Sequence, residues 1–157
     1  MGNLNLNLNL PLGKLFKEKI EGTKPKALIK IVEIKLCILT TAVTKGGNFG
    51  SKEIYITSIC LKHIYDKRPA SEFQLILKYL PKVIKYPDKI YENKPSKRGG
   101  LCLVKKINDI EILCTLEEVM DVGILKYQVV TSFMVRDENY LNDYKLIWSW
   151  KGDLPSS

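Results

Sequence analysis

Residues 101–135, LCLVKKINDIEILCTLEEVMDVGILKYQVVTSFMV, decide the fold. Leu101 to Lys106, Ile110 to Leu116 and Ile124 to Val135 are three strand-like runs joined by short connections, a spacing that predicts an antiparallel meander. Tyr144 to Trp150 is a candidate fourth strand. In the last long run, strict alternation places Lys126, Gln128, Val130, Ser132 and Met134 on one side. Tyr127, Val129, Thr131, Phe133 and Val135 then lie on the other, more apolar side. If that side meets helices, Thr131 interrupts a core face, either as part of a site or as a strand former with its hydroxyl bonded locally.

Upstream, the pattern turns helical. Glu53 to Thr57 (EIYIT) reads as a short strand, and Thr57 or Ser58 supplies the N-cap of a helix carrying His63, with Pro69 just past its end. Ser71 with Gln74 makes a capping box for the next helix. Its apolar side is Phe73, Leu75, Ile76, Tyr79 and Leu80, and Pro81 and Pro87 break the pattern. Asn93 to Gly100 reads as a basic, mobile loop. Gly13 to Glu21 has helical spacing, with Gly22 as its stop. Lys26 to Thr44 leans towards strand on its β-branched density, and Lys45 to Ser51 is a loop on its glycines. Asn and Leu alternate over the first ten residues, as in a strand with one apolar face or a biased terminus. Helices followed by strands indicate an α+β domain with helices packed on one face of an antiparallel sheet.

The chain has 157 residues and 45% apolar content, which suits a single domain spanning 1–157. It shows neither a membrane-length apolar run nor a signal-peptide pattern, so the expectation is a soluble, cytoplasmic protein that does not engage membranes. Cys37, Cys60, Cys102 and Cys114 are widely spaced and only one histidine is present, so neither a metal site nor a cofactor is expected. The cysteines read as small core residues.

The net charge of +8 is uneven. From Lys78 to Lys106 there are nine basic and two acidic residues, whereas Ile107 to Ser157 holds four basic and nine acidic ones. Such a field draws phosphate backbones, though a solvated lysine-rich surface has the same composition. Tyr86 and Tyr91 interleave with Lys85, Lys89, Lys97 and Arg98 as in a single-stranded RNA surface. Trp148 and Trp150 share one side of the terminal strand and read as core.

His63 lies on its helix face with Ile59, Cys60 and Lys67. Imidazole is the one side chain here whose unperturbed pKa suits proton transfer near neutrality, and Lys67 stands one turn away to hold phosphate. Lys62 is spaced to pair with Asp66. Arg68 reads equally as a phosphate ligand and as a helix-terminal cation matched to the dipole. Arg136 follows the last long strand, with Asp137 and Glu138 as adjacent partners.

The order of these segments, EIYIT, LKHIYDKR, LILKYLPKVI, KYPDKIY, a glycine-led strand and VVTSF, resembles the phage- and toxin-associated nucleases of the Barnase, EndoU, colicin and RelE (BECR) group. The resemblance covers residues 53–150 as a nuclease-like core and leaves 1–52 as an N-terminal extension. It implies a BECR-like α+β architecture and a metal-independent endoribonuclease acting on transfer RNA or other structured RNA. An acidic immunity or antitoxin-like protein is an implied partner. His63 then corresponds to the helix histidine as general acid/base and Thr131 to the hydroxyl of the late strand, while Arg68 and Lys67 remain candidate phosphate-holding cations on their own chemistry and spacing. Lys85, Lys89, Lys97, Arg98, Lys106 and Arg136 are further candidates for RNA contact. Members often carry a second histidine one turn along the helix. Arg68 stands there instead, which argues against a two-histidine mechanism. The alternatives are a non-catalytic nucleic-acid-binding module and a phage-element interaction protein.

Overall fold

The computed structural model describes residues 10–152, and the Asn-Leu alternation at residues 1–9 lies outside them. The described chain runs α1 (Pro11–Lys19), β1 (Glu33–Ile38), α2 (Thr41–Gly46), β2 (Glu53–Thr57), α3 (Ser58–Lys67) and α4 (Ala70–Lys85). It continues through β3 (Lys89–Glu92), β4 (Leu101–Ile107), β5 (Ile110–Asp121), β6 (Ile124–Val135) and β7 (Lys145–Ser149). This is an α+β fold around one seven-stranded sheet of order β1-β2-β6-β5-β4-β3-β7. Among its helices, none is long and apolar enough to cross a membrane.

The expected meander is present. β4 pairs with β5, and β5 with β6, in antiparallel register, from Leu101 opposite Leu116 to Asp121 opposite Ile124. The sheet is nonetheless mixed, which corrects the expectation of a purely antiparallel one. β2 joins β6 in parallel through Ile54 and Tyr55 opposite Tyr127 and Gln128. Two helices and three strands separate β2 from β6 in the chain, and a connection of that length allows a parallel pair where a hairpin cannot.

Alternation along β4 divides the core. Leu103 turns to the cluster built with Leu15, Phe16, Leu61, Ile64, Phe73, Ile76 and Leu80 of α1, α3 and α4, whereas Cys102 and Val104 join Leu113 and Tyr144 on the opposite face. The helices therefore pack on one face. The 137–144 segment crosses the other, laying Tyr140 and Leu141 against Phe133 and Val135.

A bulge in β6 overturns the strict alternation expected there. Thr115 pairs with Thr131 but Leu116 with Val129, so Val130 is the extra residue. Tyr127 and Val129 face the helices, while Phe133 and Val135 belong to the opposite cluster. A single inserted residue re-aims every side chain beyond it. Thr131 consequently faces away from the helical core.

α3 starts as its sequence predicts, with Thr57 Oγ1 accepting from Cys60 N at 3.1 Å. Next to it, buried Ser58 donates to Lys30 O and accepts from Val32 N, tying the incoming chain to the helix. α4 begins at Ala70 without a side-chain cap, so the Ser71–Gln74 box is not formed. The helix also continues through Pro81 to Lys85, because Leu80, Val83 and Ile84 are fully buried on either side of it. In the region read as strand then loop, β1 gives way to the short helix α2, capped by Thr40. β3 was not expected, yet it bridges β4 and β7. Trp148 covers Gly46, where a Cβ would meet its ring at 2.3 Å, but Trp150 is 60% exposed, so only the first tryptophan packs inward.

Candidate functional site

β2 hydrogen-bonds to β6 through only two residues, and past them the outer edge of β6 needs other partners. The helices supply them through side chains. Cys60 Sγ donates to Val130 O at 3.4 Å, Arg68 Nε to Ser132 O at 3.2 Å, and Met134 N donates to Glu72 Oε2 at 2.9 Å. α3 thus takes the place of a strand, which brings its polar side up to the face of the sheet that carries Thr131.

Between α3, β5–β6, the 93–100 loop and the Tyr140–Tyr144 segment lies a hollow of about 540 Å³. Six of the side chains singled out in the sequence line it: His63, Lys67, Arg68, Lys97, Arg98 and Thr131. His63 and Lys67 are exposed, and the His63 ring makes no hydrogen bond to any described residue. Arg68 ends α3 in extended geometry (φ −96°, ψ 148°), the conformation imposed on a residue before proline. The turn out of the helix swings its guanidinium to Thr131, where Nη2 donates to Oγ1 at 3.2 Å, and sets it 5.2 Å over the Phe133 ring. Burial lowers the Arg68 pKa, and repulsion from Arg136 adds to this, while Glu72 opposes it.

The 93–100 loop is tied rather than free. Buried Asn93 donates through Nδ2 to Arg98 O at 3.0 Å and Gly99 O at 2.9 Å, and its Oδ1 accepts from Lys94 N. Gly99 takes φ +93°, a conformation that favours glycine, and sits so close to β5 that a Cβ would meet Leu116 O at 3.3 Å. Arg98 then forks onto Glu117, with its two contacts at 3.2 and 2.5 Å, and this partner raises its pKa. Lys97 reaches across to Tyr140, Nζ to OH at 2.8 Å.

No family model, curated protein or solved structure matches this chain. The chemistry of the hollow therefore has to be read from its own groups.

Tyr140 and Tyr144 were missed in the sequence. Their rings stack at 5.7 Å, and Tyr140 also meets Phe133 edge-on at 5.6 Å. Burial pushes the Tyr140 phenol up, but hydrogen bonds from Lys97 and Tyr144 outweigh it and hold the phenol below its ordinary value. Tyr144 is pushed up to about 12 by burial and by its bond to Tyr140. The i, i+4 spacing in NYLNDY was the only available signal, and the acidic residues around it hid a cation-facing pair. Thr115 also lines the hollow, buried and opposite Thr131.

The remaining candidates lie elsewhere. Arg136 borders a smaller adjoining depression and pairs with buried Glu72 at 2.7 Å, not with Asp137 or Glu138. Lys85 and exposed Tyr86 line a separate groove with Trp148 and Trp150. Lys89 lies on β3, and Lys106 is exposed near the end of β4. Tyr91 contacts Tyr144 at 6.5 Å, so the tyrosines of the basic segment do not form one stacking surface. Lys62 is withdrawn from the site: its ammonium bonds Asp66 Oδ1 and Lys24 O, each at 2.6 Å.

A hollow lined by cations, hydroxyls and one open imidazole can hold a phosphodiester, stabilise charge on its non-bridging oxygens and move a proton. Its thiols are poor nucleophiles, since burial pushes both Cys60 and Cys102 up to about 12.

Proposed function

We propose that the protein is a small, basic, metal-independent endoribonuclease with a BECR-like core over residues 53–150, acting on transfer RNA or other structured RNA. The observation that carries this reading is the convergence of His63, Lys67, Arg68, Lys97, Arg98 and Thr131 on one hollow, from elements far apart in sequence. His63 serves as the general acid/base, with its ring open to substrate. Arg68, positioned by Thr131, and Lys67 hold the scissile phosphate, where fixed positive charge favours the dianionic transition state. Arg98 is partly engaged by Glu117 and acts nearer the rim. A hollow of this volume accommodates a nucleotide-sized unit rather than a duplex, so the target is an unpaired or extruded position within a folded RNA. An acidic immunity or antitoxin-like protein is the partner that such a cationic site would attract, and the cytoplasm is the compartment that holds the substrate.

Incubation of purified protein with a transfer-RNA pool in EDTA tests the reading. Wild type is expected to yield discrete products, and His63→Ala to slow their formation by ~10²–10⁴-fold, the usual contribution of an acid/base group. Equal rates for the two proteins remove His63 from the mechanism. Salt-sensitive binding with no product favours the non-catalytic nucleic-acid-binding module instead.

A further inference from the structure

We propose that Tyr140 is the second proton-transfer group of the hollow, the acid that protonates the leaving 5′-oxygen while His63 removes the proton of the 2′-hydroxyl. This rests on the ribonuclease reading above and supplies what a chain with one histidine lacks. Cleavage by the 2′-hydroxyl needs two proton transfers, and the hollow offers few groups for the second. Arg68 and Arg98 do not give up protons near neutrality. The Cys60 and Cys102 thiols are half-buried and buried, respectively. Tyr144 is buried and spends its hydroxyl proton on Tyr140 at 3.5 Å.

Tyr140 differs from all of these. It is half-exposed, and it lines both the hollow and the adjoining depression beside Arg68 and Lys67. Its oxygen accepts from Lys97 Nζ at 2.8 Å, so its own O–H proton is free to be donated. The charged and titratable groups around it are Lys97 from the 93–100 loop, Lys67 and Arg68 from the end of α3, Glu72 from α4, Arg136 after β6, Tyr144 from its own segment and Cys102 from β4. Of the cations, Lys97 and Arg68 interact with the phenol directly, and both favour the phenolate left after donation. An acid whose conjugate base meets a ready ammonium becomes stronger as the proton leaves. His63, across the hollow, has Asp66 and Lys67 as its charged helix neighbours.

The step balances without a co-reactant. The O2′–P bond forms as the 2′-hydroxyl proton passes to His63. The P–O5′ bond breaks as the Tyr140 proton passes to O5′. The products are a 2′,3′-cyclic phosphate and a 5′-hydroxyl, and solvent returns the proton from imidazolium to phenolate.

The test compares wild type, Tyr140→Phe, Lys97→Met and His63→Ala on two synthetic RNA oligonucleotides. Both carry the sequence cut in transfer RNA, and one has sulfur in place of the 5′-bridging oxygen. A thiolate leaves without protonation, its pKa being near 8.5. Tyr140→Phe is expected to lose ~10²-fold or more on the oxygen substrate and less than ~5-fold on the sulfur one, whereas His63→Ala is slow on both. Lys97→Met moves the alkaline limb of the wild-type pH–rate profile upward, because the phenol then loses the ammonium that holds it down. Phenylalanine keeps the ring contacts to Phe133 and Tyr144, so the melting temperature checks that the segment remains in place. Equal losses on both substrates, or none on either, overturn the acid role and leave the ribonuclease reading standing. Absence of cleavage by wild type on both substrates and on transfer RNA overturns both.

Discussion

Arg136→Ala separates two roles for an arginine that the sequence offers as a candidate for RNA contact. Its guanidinium meets the Glu72 carboxylate at 2.7 Å, with Glu72 2% exposed and Arg136 62% exposed at the side chain. The other Glu72 oxygen already accepts from Met134 N at 2.9 Å, so removal of Arg136 leaves a buried carboxylate with one hydrogen bond, no direct ion pair and only the weaker pull of the Arg68 guanidinium. Breaking a fully buried pair costs about 3–5 kcal/mol, and an exposed pair contributes about 0.2–1 kcal/mol. One partner here is buried and the other wet, which places the loss near 2 kcal/mol. For a chain of this size that corresponds to a fall in melting temperature of about 4–8 °C. Glu72→Gln keeps an acceptor for Met134 N and removes the charge, so in that background Arg136→Ala should cost under about 0.5 kcal/mol. Thermal or urea unfolding of the four proteins measures the coupling. An unchanged melting temperature in Arg136→Ala, or equal losses in both backgrounds, would refute the argument and return Arg136 to the list of free cations.

Three further outcomes follow from particular contacts. Burial pushes the Asp66 carboxyl up, but Lys62 Nζ and Lys26 N–H outweigh it and hold the group below the ordinary carboxylate range. Its stabilising contribution is therefore full above about pH 4 and lost as pH falls through the depressed folded value. Asp66→Asn should destabilise the protein by about 1–3 kcal/mol at neutral pH, and the gap to wild type should close in acid unfolding curves; a gap that stays constant with pH contradicts this. Burial pushes Cys37, Cys60 and Cys102 up to about 12, so at pH 8 a thiol reagent should label the native chain about a thousandfold more slowly than the unfolded one; rapid labelling of one native thiol counts against that packing. For a non-cleavable 2′-deoxy oligonucleotide, Lys67→Ala should reduce the slope of log affinity against log salt by about 0.7. Arg98→Ala should reduce it less, because Glu117 already compensates that charge, and the opposite order would count against the placement.

Local signals in the sequence translated directly into structure where a neighbouring residue decides the geometry. Thr57 caps α3, Pro69 turns Arg68 out of the helix, and the spacing of the 101–135 runs yields the β4–β5–β6 meander. What depended on distant partners was hidden. The parallel β2–β6 pair arises only when two segments some seventy residues apart meet, and Pro81 is tolerated because the residues flanking it are locked in the core. The Val130 bulge follows from the pairing of β5 with β6, and no periodicity in β6 alone announces it. That bulge also decides the site, since without it Thr131 would have stayed on the helical face with Val129. His63, Lys67, Arg68 and Thr131 were legible as residue types in context. Tyr140 was not, because its partner Lys97 lies in a loop whose path is set by Asn93.

The chemical form of the RNA ends tests the central claim most directly. Mass spectrometry of fragments made by wild type in EDTA should find a 2′,3′-cyclic phosphate on the upstream piece and a 5′-hydroxyl on the downstream piece, with neither formed in comparable time by His63→Ala. Fragments ending in a 3′-hydroxyl and a 5′-phosphate, or the same fragments at the same rate from the variant, would contradict it.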